Sequence, residues 1–131
     1  MKKGNLFNSK INEVISKMGH TDLIVIADAG LPIPDGVERI DISLTKDVPT
    51  FIETLKVFLE NFEAEGIILA EEIKSKNENV LSQIEELLQG IEVEYVSHEK
   101  FKKITKDAKG IIRTGECTPY ANIILKSGVI F

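Results

Sequence analysis

The chain has 131 residues, with 16 Lys and Arg against 21 Asp and Glu, a length that suits one hydrophobic core and is short for two, so residues 1–131 are expected to form a single domain. The net charge of −5 is spread in both signs along the chain, with no basic run or aromatic-basic interleaving, which argues against a nucleic-acid partner. No apolar run reaches the roughly 18 residues of a membrane span, and the start M-K-K-G-N-L-F-N lacks the apolar stretch of a signal peptide, so the expectation is a cytoplasmic protein without membrane association.

Leu6, Phe7, Ile11, Val14, Ile15 and Met18 recur at helical spacing after Asn8 or Ser9 as N-cap, with Gly19 as the C-cap. Leu23 to Ala27 is a continuous apolar run, as expected of a strand covered on both faces. A-G-L-P-I-P-D-G then reads as a loop, and V-E-R-I-D-I-S alternates as a second strand. Asp47 and Pro49 mark the start of a helix whose buried stripe is Phe51, Ile52, Leu55, Phe58, Leu59 and Phe62. Gly66 to Ala70 reads as a third strand, Val80 to Leu88 as a helix, and Ile91 to Val96 as a fourth strand. Ser97 caps a short helix through H-E-K-F-K-K-I, and a strand follows in G-I-I-R. After the loop T-G-E-C-T-P-Y, strands in N-I-I-L and V-I-F flank a turn at K-S-G. This order predicts an α/β fold, a three-layer α/β/α domain with a mixed, mostly parallel sheet and an antiparallel last pair.

Several residues stand where chemistry is done. His20 follows the first helix, whose carbonyl end favours a cationic imidazole; the plainer alternative is a polar turn in G-H-T-D. Asp28 ends an apolar strand, where open α/β sheets place their ligands, although an Asx turn in A-D-A-G accounts for it equally well. His98 also follows a strand end, and Lys102 lies one helical turn beyond it; a solvated first turn is the plainer account of both. In T-P-Y-A-N a proline turn presents Tyr120 and Asn122 at alternate positions entering a strand, a pair suited to neutral hydroxyls, although an ordinary strand entry with a half-buried tyrosine accounts for it equally well. Cys117 has no partner base in the sequence and reads as an inert side chain. His20, His98 and Asp28 show no metal-ligand spacing, so no metal is assigned, and no G-x-G-x-x-G, Walker A or G-x-S-x-G pattern is present.

M-G-H-T-D-L-I-V-I-A-D-A-G-L-P-I-P, R-I-D-I-S-L-T-K-D-V-P-T-F and I-I-R-T-G-E-C-T-P-Y-A-N-I-I-L, taken together and in this order, resemble the RbsD-type D-ribose pyranase family, related to the fucose mutarotases. The resemblance runs over essentially the whole chain. It implies a cytoplasmic, cofactor-independent isomerase that interconverts the β-pyranose and β-furanose forms of D-ribose and supplies the furanose to ribokinase. It also implies a homo-oligomer, a decamer of two stacked pentameric rings. Carried onto this sequence, the family pattern makes His20 the catalytic acid and Asp28, His98, Tyr120 and Asn122 sugar ligands, with Lys102 added from its position beyond His98. Histidine suits the task, because its ordinary pKa near 6.5 lets it donate and accept protons at neutral pH, a role typically worth about 10² to 10⁴ in rate. The alternatives are a mutarotase exchanging anomers of ribose or fucose, a non-enzymatic sugar-binding protein of ribose transport, and a phosphoryl-carrying histidine.

Overall fold

The computed structural model describes residues 1–131. At its centre β1 (Leu23–Ala27) is buried from Ile24 to Ala27, and its alternating side chains feed two different cores. Ile24 and Ile26 join the larger cluster, which includes Phe51, Leu55 and Phe58, whereas Val25 and Ala27 join the smaller one with Phe101, Ile111 and Ile124. A strand with period-two side chains and apolar residues at every position must be covered on both faces, and this one is.

The other strands are β2 (Arg39–Asp41), β3 (Ala64–Ala70), β4 (Glu92–Val96), β5 (Ile111–Arg113) and β6 (Ile123–Ser127). They form one sheet in the order β2-β5-β1-β6-β3-β4. Pairs β2·β5, β5·β1 and β3·β4 are parallel, and β6 runs antiparallel to both β1 and β3.

The helices cover both faces. α1 (Ser9–Ser16), α2 (Phe51–Leu59), α3 (Ile73–Lys76) and α4 (Glu78–Leu87) bury Ile11, Val14, Phe51, Ile73 and Ile84 in the larger cluster, while α5 (His98–Ile104) buries Phe101 in the smaller one. The expected three-layer α/β/α arrangement with a mixed, mostly parallel sheet is therefore what the chain forms. Caps set the helix starts: Asn8 accepts from Ile11 N at 2.9 Å and Ser97 from Lys100 N at 3.2 Å. Thr50 and Glu53 bond reciprocally at 2.9 and 3.1 Å as a capping box, a device worth about 1 kcal/mol.

Four expectations need correction. V-I-F forms no strand, because β6 is already paired on both edges; Ile130 and Phe131 lie exposed instead, so the antiparallel pairs involve β1 and β3 rather than a terminal hairpin. Gly19 is not the C-cap of α1, which ends at Ser16 with Lys17 as cap. α2 starts after Thr50, not at Asp47 or Pro49; Asp47 takes a left-handed φ of 59° and the Val48–Pro49 peptide bond is cis. The strand expected over V-E-R-I-D-I-S shortens to three residues, as β5, its one neighbour, is itself three residues long.

Candidate active site

The carboxyl ends of the parallel strands gather one group of polar side chains. Asp28 leaves β1 half-buried, and its backbone N–H donates to Asn122 Oδ1 at 2.8 Å while Asn122 Nδ2 donates back to Asp28 Oδ2 at 2.9 Å. Asp28 Oδ1 accepts from Gly30 N at 2.9 Å, so the Asx turn is real and still leaves carboxylate lone pairs unused. Asn122 is fully buried, and the amide is committed to holding that carboxylate.

Tyr120 and Asn122 do not alternate along a strand as expected, because β6 begins only at Ile123 and Tyr120 has a φ of 57°. A left-handed tyrosine costs on the order of 1 kcal/mol or more and persists only where neighbours over-determine it. Asn77, at the start of α4, does this by donating to Thr118 Oγ1 at 2.9 Å and Pro119 O at 2.8 Å, and Asn122 N closes the turn onto Tyr120 O at 2.9 Å. The Tyr120 ring then meets His98 edge to face, 5.1 Å between centroids at 83°.

His98 opens α5, where its backbone N–H is gripped by both carboxylate oxygens of Glu72 at 3.1 and 2.9 Å. Its Nδ1 is buried without a hydrogen-bond partner. Asp28, Asn122, Tyr120 and His98 thus come together from three chain segments, beside an open cleft of about 490 Å³ lined by Asp28, Gly30, Glu116, Cys117 and Pro119. Lys102 shares α5 with His98, but its ammonium pairs with Glu99 at 2.7 Å rather than with any of the four.

His20 stands elsewhere. It precedes β1, whereas Asp28 follows it, so the five residues of the strand, about 17 Å at 3.3 Å each, lie between their backbones. It is also beyond the last turn of α1, out of reach of the helix dipole expected to act on it. Its partner is a side chain the sequence did not mark. His20 Nε2 lies 2.7 Å from Glu65 Oε2, and Glu65 Oε1 is 3.1 Å from Lys126 Nζ. The hydrogen bond from His20, then that from Lys126, holds the Glu65 carboxyl below its ordinary range.

Other supports were equally silent in sequence. Glu116 is buried and accepts from Phe51 N at 3.0 Å and from Thr118 Oγ1 at 2.7 Å, tying the loop before Tyr120 to the start of α2. Arg113 donates to Ala29 O at 2.9 Å and to Asp41 and Ser43 at 3.0 and 2.8 Å, tying the loop after Asp28 to β2. Asn77, directly before a helical stripe, carried a legible N-cap signal; the others are long-range contacts without local spacing. Cys117 is exposed, with its N–H bound to Asp47 at 2.9 Å.

Residues 1–130 match the model of the RbsD / FucU transport protein family. The chain belongs to this family. Within it, a D-ribose pyranase of Clostridium perfringens is 52% identical over 131 residues, covering both chains completely, as is a D-ribose pyranase of Bacillus subtilis. The solved structure of Bacillus subtilis RbsD complexed with D-ribose superposes with a TM-score of 0.98 at 52% identity, again over the whole of both chains. A fucose mutarotase of Streptococcus pneumoniae in complex with L-fucose is 25% identical, covers 95% of this chain and 94% of its own, and superposes with a TM-score of 0.78. The family resemblance of the three sequence motifs is thus matched along the fold as well.

Proposed function

We propose that this chain is a D-ribose pyranase, an isomerase that interconverts the β-pyranose and β-furanose forms of D-ribose. The observation that carries the reading is its end-to-end similarity to RbsD complexed with D-ribose. Ring opening needs a proton on the ring oxygen and the loss of one from the anomeric hydroxyl. His20, as imidazolium, donates to the ring oxygen; the bond from C1 to the ring oxygen breaks as the anomeric hydroxyl gives its proton to solvent water and its oxygen becomes the aldehyde carbonyl. Rotation brings the 4-hydroxyl to C1, and the same transfers run in reverse to close a furanose. Electrons are neither gained nor lost by the sugar, so the reaction as written calls for no redox cofactor.

Asp28 and His98 hold the sugar hydroxyls in this reading, with Tyr120 walling the pocket, Asn122 anchoring Asp28 and Lys102 at its margin. The bare, buried His98 Nδ1 supports it, because an unsatisfied buried polar atom costs roughly 1–3 kcal/mol that a hydroxyl offsets. The separation of His20 from Asp28 supports a site made by two copies, His20 from one entering the cleft of the next. A head-to-tail contact of that kind closes into a ring, which fits a homodecamer of two pentamers in the cytoplasm.

The test is NMR magnetisation transfer between pyranose and furanose anomeric protons of D-ribose. Native protein should accelerate the exchange, and His20→Ala at matched folded concentration should lower it by about 10² or more. Ribose binding by both proteins with no acceleration by either would leave a sugar-binding protein in place of an enzyme. Similarity to the fucose mutarotase favours anomer exchange as the second reading; α/β exchange of ribose or fucose faster than pyranose/furanose exchange would establish it.

A further inference from the structure

Building on the ring-opening reading, we propose that Glu65 is a positioning residue that sets the tautomer of His20, so that the proton given to the sugar leaves from Nδ1. Three observations carry this. First, β3 pairs Ala64 with Ser127 and Gly66 with Lys126, so Glu65 is an extra residue without a partner on β6. Such a bulge re-aims a side chain and recurs beside functional sites. Second, both carboxylate oxygens are engaged, Oε2 with His20 Nε2 at 2.7 Å and Oε1 with Lys126 Nζ at 3.1 Å, which fixes the carboxylate at two points. Third, the chain leaves β6 through Gly128 in close contact with this bulge: a Cβ there would lie 3.2 Å from Glu65 Cβ.

A carboxylate only accepts, so the nitrogen facing it must carry the hydrogen. Nε2–H is therefore directed to Glu65 in the neutral ring as well as the charged one. Nδ1 is left as the atom that gains and loses a proton, the division of labour by which a carboxylate orients a catalytic histidine. Lys126 adds polarity to the arrangement, because it demands an acceptor on its own side of residue 65.

That demand yields an inverted outcome in Glu65→Gln. The amide oxygen must face Lys126, so the amide NH₂ faces His20 Nε2, which can then only accept. The neutral ring is forced to Nδ1–H. Ring ¹⁵N spectra should show Nε2–H in the native protein and Nδ1–H in Glu65→Gln. The kcat for pyranose–furanose exchange should fall about 10- to 100-fold with KM within about two-fold. Glu65→Asp, which keeps the charge, should restore Nε2–H and part of kcat. A native ring protonated on Nδ1, or a Glu65→Gln protein with native kcat, overturns the inference. A native protein that accelerates no exchange overturns the ring-opening reading instead, and the ring spectra then judge the Glu65 contact by itself.

Discussion

The carboxamide of Asn122 is committed to one neighbour, giving an oxygen to the Asp28 N–H and a hydrogen to the Asp28 carboxylate. Asn122→Ala should therefore act twice. It leaves two polar groups of Asp28 unpartnered, a loss of about 1–3 kcal/mol measurable by urea unfolding, and it frees the carboxylate to turn, so the KM for ribose should rise about ten-fold or more (each tenfold is about 1.4 kcal/mol of binding). At this scale the strand-end positions of Asp28 and His98 were legible as local signals, whereas their meeting with Tyr120 and Asn122 came from the family resemblance, and the alternation expected of that pair gives way to a left-handed turn. His20 and Asp28 were read as flanking one strand, but the reading that both reach one sugar overlooked that its two ends lie at opposite ends of the sheet. Glu65 was hidden for a different reason: a bulge is defined by the register of a partner strand some sixty residues away, and E-A-E-G-I-I-L carries no mark of it.

At the scale of elements, the loop from Thr114 to Pro119 is held as firmly as a strand. Gly115 donates to Pro49 O at 2.9 Å and accepts from Asp47 N at 2.6 Å, and a Cβ at this position would lie 2.4 Å from Val48 O and 2.5 Å from Thr45 O. Those are backbone atoms that cannot rotate away. Gly115→Ala should then destabilise by about 1–3 kcal/mol, read as a lowered Tm, and should weaken ribose binding because Tyr120 and Asn122 hang from the same loop. β1, α2 and α5 were readable for different reasons: β1 from its unbroken apolar run, α2 from its buried stripe although its start was misplaced, and α5 from its Ser97 cap. α3 went unread because four residues offer no period. V-I-F was misread because a turn-like K-S-G says nothing about whether the edge it would pair with is free.

For the whole molecule, the proposed site, with His20 from one copy and the Asp28 cluster from the next, makes activity a property of contacts between copies, and mixing inactive variants tests this proposal directly. His20→Ala and Asp28→Ala should each be inactive alone. Refolded together in equal amounts, they should regain up to about one quarter of native exchange, since a site with His20 from one copy and Asp28 from the next is intact by chance one time in four in a mixed ring. A site contained within one copy would recover nothing. The layered α/β architecture was legible from the alternation of elements, yet neither the sheet order nor the assembly was, as both depend on which edges meet.

β6 is the last of the six strands to be synthesised, yet it sits between β1 and β3. Until it arrives, β2-β5-β1 and β3-β4 are two half-sheets with unpaired edges facing each other. Closure must await the final strand, so the chain completes its core after synthesis of that strand rather than progressively from its start, with the slow, non-local pairing that such topologies impose. The same event brings Asn122 to Asp28 at one end of β6 and Lys126 to Glu65 at the other. A nascent chain therefore forms neither contact before β6 docks: the groups at both ends of that strand are assembled in a single step, and unzipping of β6 would dismantle them together.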